Sequence, residues 1–297
     1  MIFAGVDPGS SSYAVAFVDN LGRLIAYREF LTDMVEKDVN IILDYIMSKR
    51  PYLISLPSGH GLPFKSSNSL TEKDLFMVSL SRSGKGPLRR FLQNSRKLNG
   101  ITIPSVIELA SVPSFRKENF IDLGTADKVS SAFFYRTMFD SFVLVEAGSK
   151  FIAVIVVVNG NIIDGLGGSA FPGSAGFIDG EIAYLMSQFS KLTKASIYSG
   201  GNFKRGIEIA KMFAQYYSKE YNIPIIVSGR NKNQVEFGLK FNFRFKEAAV
   251  GAAYIASAFS GNAYKDFLEM LNSAGTAIDY VKLEGWEEVT SWIKTEL

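Results

Sequence analysis

Two short segments carry the same chemistry in the same order, Asp7-Pro8-Gly9-Ser10-Ser11-Ser12 and Glu146-Ala147-Gly148-Ser149. In each, an apolar run ends in an acid, followed two residues later by glycine and then serine. A glycine lets an anion approach bare backbone, and the successive N–H groups and hydroxyls of such a turn donate to phosphate oxygens. An acid at a strand end suits Mg²⁺, which takes few carboxylates and keeps part of its hydration shell. Asp-Pro-Gly alone is an ordinary turn sequence. Its recurrence is the signal: Asp7 and Glu146 stand 139 residues apart, as do Ser10 and Ser149, and the later turn glycines Gly22 and Gly160 stand 138 apart. Gly9, Ser10, Ser11, Gly148 and Ser149 are therefore the expected phosphate-binding residues, with Asp7 and Glu146 beside a metal.

The surrounding pattern explains how such turns would be held. Ile2–Val6, Tyr13–Val18 and Leu24–Phe30 read as three antiparallel strands, followed by a helix over Val35–Met47 and a strand over Tyr52–Leu56. Residues 61–100 read as loop and short helix. From Gly124 the pattern restarts, with a helix capped by Thr125 and running to Met138, then strands at Phe142–Val145, Phe151–Val158 and Asn161–Ile163, the last two joined by Asn159-Gly160. A strand over Ala195–Tyr198, a helix over Phe203–Tyr221, a strand over Ile223–Val227 and a small-residue helix over Lys246–Phe259 follow. Helices at Tyr264–Leu271 and Trp286–Ile293 close the chain. Supersecondary units repeated at a fixed offset imply a duplicated α/β fold with mixed sheets.

Other candidates rest on single features. Ser199-Gly200-Gly201 would follow a strand and open a helix, giving bare backbone beside a helix N-terminus for an adenosine; Ser228-Gly229-Arg230 competes for that role. Asp127, Asp164 and Asp179 are acids at element ends, each able to touch substrate or, for Asp127 and Asp179, to serve a helix start. His60 and Arg82 are expected to reach an anionic acceptor, Arg82 through its bidentate geometry. Arg89 and Arg90 read as a solvated helix face. Neither the common phosphate-loop nor the dinucleotide fingerprint is present, because Gly84-Lys85 is followed by Gly86.

Composition narrows the class. The 297 residues suggest more than one core. The hydrophobic content of 47% and charged content of 21% are those of a folded chain. A formal charge of +3, with no run of like charges, gives no nucleic-acid or membrane-surface signal. No Cys and one His exclude disulfides, iron–sulfur clusters and histidine-rich metal centres, so any metal must be held by oxygen. No secretory signal is visible and the most apolar run is too short to span a bilayer, so a cytoplasmic location is expected.

The order of elements, the paired phosphate turns, the small-residue helix at Thr125–Met138 and Glu247-Ala-Ala-Val-Gly-Ala-Ala253 resemble the acetate and sugar kinase, chaperone and actin superfamily over nearly the whole chain. Gly124-Thr-Ala-Asp-Lys128 and the stretch from Asp164-Gly-Leu-Gly-Gly168 through Phe171-Pro-Gly173 to Ile178-Asp-Gly-Glu181 resemble an archaeal family labelled predicted butyrate kinases. This resemblance implies a two-lobed, duplicated ribonuclease H-like (actin-like ATPase) fold with mixed five-stranded sheets and ATP in the interlobe cleft. Lobes would span 1–123 and 124–261, with C-terminal helices at 262–297. It also implies ATP and Mg²⁺ as cofactors, Ser199, Gly200 and Gly201 as the adenosine contact, and the two small-residue helices as hinge. Catalysis would fall to Asp7, Glu146, Asp164 and Asp127. Glu146 stands where the pattern usually has Asp. The expected activity is a small carboxylate kinase forming an acyl phosphate, with a small anionic acceptor and a homodimer as partners. A sugar or other alcohol kinase and a non-catalytic switch or assembly protein are the alternatives. Dehydratase activators and tRNA-modifying relatives are excluded by the missing Cys and His, and chaperone-like members by the short C-terminal segment.

Overall fold

The computed structural model describes residues 1–82, 84, 86–171 and 177–297. Pro172 and Gly173 of the second resemblance motif, and Ser83 and Lys85 of the Arg82 loop, lie outside them. The first half runs β1 (Ile2–Pro8), β2 (Ser12–Asp19), β3 (Leu24–Leu31), α1 (Thr32–Lys37), α2 (Asn40–Ser48), β4 (Leu53–Ser55), α3 (Glu72–Ser79), α4 (Pro87–Ser95), β5 (Gly100–Ile101), α5 (Ser114–Lys117) and α6 (Ala126–Arg136). The second runs β6 (Phe142–Ala147), β7 (Ile152–Val158), β8 (Asn161–Leu166), α7 (Gly180–Gln188), α8 (Lys194–Ile197), α9 (Phe203–Tyr221), β9 (Ile225–Ser228), β10 (Leu239–Lys240), α10 (Glu247–Phe259) and α11 (Trp286–Glu296).

Two five-stranded sheets result, ordered β3-β2-β1-β4-β5 and β8-β7-β6-β9-β10. Each begins with an antiparallel meander and continues with parallel strands, β1 against β4 and β6 against β9. The sequence repeat is thus a repeat of topology. In both halves the expected phosphate turn is the hairpin between the first two strands: Pro8 pairs with Tyr13, and Ala147 with Ile152.

The β-branched run of β7 is buried because both faces of the second sheet are covered. Alternate residues of β6 serve two cores: Val143 and Val145 pack with Ala210 and Ala214 of α9, while Phe142 and Leu144 point toward α6 and α10. The small residues of α10 permit close layering. A side chain at Gly251 would run into the Ser130 carbonyl oxygen of α6, and one at Gly5 of β1 into the α10 backbone at Ala249 and Ala253. Helix α10, from the second half, therefore lies on the first sheet against β1, β2 and β4, while α6, from the first half, lies on α10 and β7. Each half lends one helix, α6 or α10, to the layer between the sheets.

Several sequence expectations are corrected. The helix over Val35–Met47 is two helices, broken at Asp38, whose backbone is extended and whose carboxylate accepts from Asn40 N. Residues 61–100 are loop and short helix as expected, the helices being α3, which begins in a capping box formed by Thr71 and Asp74, and α4. The strand over Ala195–Tyr198 is instead helix α8, because Thr193 and Ser196 form a second capping box. Thr125 occupies the N-cap of α6 without capping it, since its hydroxyl donates to Asp127. Asp179 does cap α7.

Candidate functional site

The two hairpins open on one cleft of about 980 Å³. Asp7 to Ser12 line one wall and Glu146, Gly148, Ser149 and Lys150 the other, with Asp127, Lys128 and Ser131 of α6 and Lys246 of the α10 N-terminus beneath them. Gly9 is required by crowding: a Cβ there would stand 2.7 Å from both Ser12 O and Lys246 Nζ. At Gly148 a Cβ would press to 2.9 Å on Phe151 O, the acceptor of the Gly148 N–H in the turn.

Three carboxylates and two ammoniums meet at the cleft floor. Lys246 Nζ lies 3.1 Å from Asp7 Oδ2 and also donates to Ser12 O at 2.5 Å. Lys128 Nζ bridges Asp127 (2.7 Å) and Glu146 (2.5 Å), whose other oxygen accepts from Ser131 Oγ at 2.7 Å. Burial pushes the Asp7 carboxyl up to about 6, with Lys246 opposing and the negative charges of Asp127 and Glu146 adding to the rise. Burial would also raise Asp127, but the charge and hydrogen bond of Lys128 hold it below the usual carboxylate range. Burial works against the charge on Lys128, yet its two carboxylate neighbours raise it well above the ordinary ammonium value, so it stays cationic.

Oxygen donors from both halves thus converge where anionic phosphates would meet backbone N–H groups. Among the described residues no group of three or more Asp, Glu, His or Cys is arranged to hold a metal ion. That donor set does not make an all-protein metal cage, and it fits Mg²⁺ carried on a polyphosphate and touched by one or two carboxylates. Asp7 and Glu146 would hold it.

The remaining sequence candidates divide. His60 lines the cleft, with Nδ1 buried and unpartnered, and burial lowers its basicity so that the ring is neutral. Gly229 and Arg230 also line it; they follow β9, and Asn231 beside them donates to Gly148 O at 2.9 Å. Ser199, Gly200 and Gly201 do not line it: they are exposed, follow a helix rather than a strand, and Ser199 Oγ donates to Ser196 O. Asp164 is buried away from the cleft, paired with Arg116 at 2.8 Å and accepting from the Tyr217 hydroxyl. Arg82 lies over the Trp292 ring, 4.7 Å from its centroid, on the C-terminal helix. Arg89 is 7% exposed and paired with Glu72, so it is no solvated face, whereas Arg90 is exposed. Composition and spacing did not single out Lys128, Ser131, Lys246, Asp122, Lys194 or Tyr198, all of which line the cleft. Lys246 reaches Asp7 across 239 positions, and no local pattern announces such a contact.

Two sheets of one topology, interleaved helices and a shared cleft define the actin-like ATPase fold. Solved structures of that fold are similar in three dimensions. They include an acetate kinase from Entamoeba histolytica (11% identity, TM-score 0.50, 78% of this chain and 82% of that one), a propionate kinase from Francisella tularensis subsp. tularensis SCHU S4 (13%, 0.48, 78% and 84%) and a ROK family glucokinase from Streptomyces griseus (12%, 0.41, 86% and 99%). At these identities the likeness is one of fold, and the acetate kinase carries it. Residues 5–283 match the profile of the family described as "Protein of unknown function (DUF1464)", and the chain belongs to that family. No curated protein is significantly similar in sequence. Among the described residues no helix is long and apolar enough to cross a membrane.

Proposed function

We propose that this protein is an ATP-dependent phosphotransferase whose acceptor is a small carboxylate of the acetate or butyrate kind. The observation that carries the reading is the opening of both glycine hairpins, one from each sheet, on the same cleft. Backbone N–H groups of residues 9–12 and 149–150 would clasp the triphosphate from two sides, and Lys128 and Lys246 would offset its charge. Gly229 and Arg230 take the adenosine role in place of Ser199–Gly201. Mg²⁺ bound to the triphosphate would neutralise oxygens of the transferring group. His60 and Lys194 lie in the same cleft and would receive the acceptor's carboxylate.

Chemistry of the lining favours this acceptor over an alcohol. A carboxylate is already ionised at neutral pH and attacks the terminal phosphorus without losing a proton; the bond to the bridging oxygen breaks and ADP leaves. An alcohol needs a carboxylate base within reach. Each acid lining the cleft already has a partner: Asp7, Asp127 and Glu146 have lysines, Glu29 has Ser12 and Tyr27, Asp122 has Ser169, and Glu247 has Tyr135.

An acceptor panel tests the reading. ADP release should depend on added short-chain carboxylates, hydroxylamine should trap the acyl phosphate, and Asp7→Ala should lower the rate by about 10²–10³. A phosphorylated sugar among the products would move the assignment to an alcohol kinase. Undiminished transfer by Asp7→Ala would remove the site.

A further inference from the structure

Helix α7 has no buried side chain. Helical period places Ile182, Leu185 and Phe189 on one face, and this face is turned to solvent: the three are 53, 56 and 68% exposed. Phe177 and Leu192 at its ends are each 40% exposed, and Tyr184 is 66% exposed. Only Ala183 and Met186 reach partial cover. Such a stripe on a nine-residue helix would be the core-facing side of an ordinary amphipathic helix, and here it faces outward.

We infer that α7 is the contact of a two-fold symmetric dimer of this chain, with the α7 helices of two copies packed antiparallel. Two features select a second copy. One is charge: Glu181 stands at the start of α7 and Lys191 just past its end, where the Lys191 N–H bonds back to Met186 O. Neither forms an ion pair among the described residues. A two-fold axis beside Leu185 and Met186 sets Ile182 against the partner's Phe189 and Glu181 against the partner's Lys191, so the patch complements itself, as an isologous contact requires. The other is area. At about 200 Å² for a large side chain, Ile182, Leu185 and Phe189 with the flanking Phe177 and Leu192 present on the order of 500 Å². A standard interface takes about 800 Å² per partner, and the polar rim of Glu181, Gln188 and Lys191 supplies the balance.

This contact is independent of the phosphotransferase reading, and its test measures mass rather than activity. Light scattering coupled to size exclusion on the full chain should give twice 32.7 kDa. Leu185→Glu should give the monomer mass. Glu181→Lys and Lys191→Glu should each weaken the dimer by roughly tenfold or more, because each sets like charges opposite one another, and the double variant should recover most of that loss. All three positions are exposed, so far-UV circular dichroism and melting temperature should stay near wild type and confirm folding. A chain that is monomeric up to roughly 100 µM, a dimer that survives Leu185→Glu, or a double variant as weak as the single ones would each overturn the inference.

Discussion

Glu108 shows how one buried group sets a pH response. It has no solvent contact; Oε2 accepts from the Ser105 backbone and hydroxyl, and Oε1 has no partner. Burial pushes its carboxyl up to about 8, with the Ser105 bonds pulling the other way. The folded chain keeps a proton that the unfolded chain releases near 4.5, so this contribution to stability is complete below that pH and fades as pH climbs toward 8. Glu108→Gln keeps the neutral shape and removes the titration. The melting temperature of wild type should fall from pH 5 to 8 more steeply than that of the variant, and parallel curves would show that Glu108 ionises normally. Asp127 in the cleft differs from Glu108: burial would raise it too, but the Lys128 charge and hydrogen bond outweigh that. Asp7 and Glu146 could be picked out as a pair because their turns repeat, whereas Lys128 and Lys246 are chosen by tertiary contact.

At the scale of elements, the tightest packing lies where α10 crosses α6 and β1. Gly251→Ala places a methyl on the Ser130 carbonyl oxygen, and Gly5→Ala places one in the α10 backbone. Each should cost about 1–3 kcal/mol in urea unfolding, because backbone yields less readily than a flexible side chain. An equally stable variant would mean that the helices move apart at no cost. The strands were legible because alternation, apolar runs and turn residues are local signals, and the long helix α9 matches its expected span, Phe203–Tyr221. What failed was set by competition. Thr193 and Ser196 turned a β-like tetrapeptide into a helix, removing the strand that made Ser199–Gly201 look like a nucleotide loop. Asp164 looked catalytic in its glycine-rich stretch, but Arg116 and Tyr217 draw it into a structural cluster. Arg82 belongs to Trp292, a partner 210 positions away.

For the whole molecule, the exchange of α6 and α10 means that the first sheet is covered by a helix from the second half. Residues 1–123 include the entire first sheet yet lack α10, whose alanines cover β1. Expressed alone, that fragment should bind hydrophobic dye and melt without a cooperative transition, and co-expression with 124–297 should restore one. A cooperative transition in the isolated fragment would show that the sheet finds other cover. The same arrangement governs the order of events during synthesis. Strands β1 to β3 are complete at Leu31, but the helix that seals them ends at Phe259. At ordinary ribosome speeds the nascent sheet waits roughly 10–45 s for its lid. Throughout that interval its apolar face must be shielded by chaperones or by transient contacts within the growing chain.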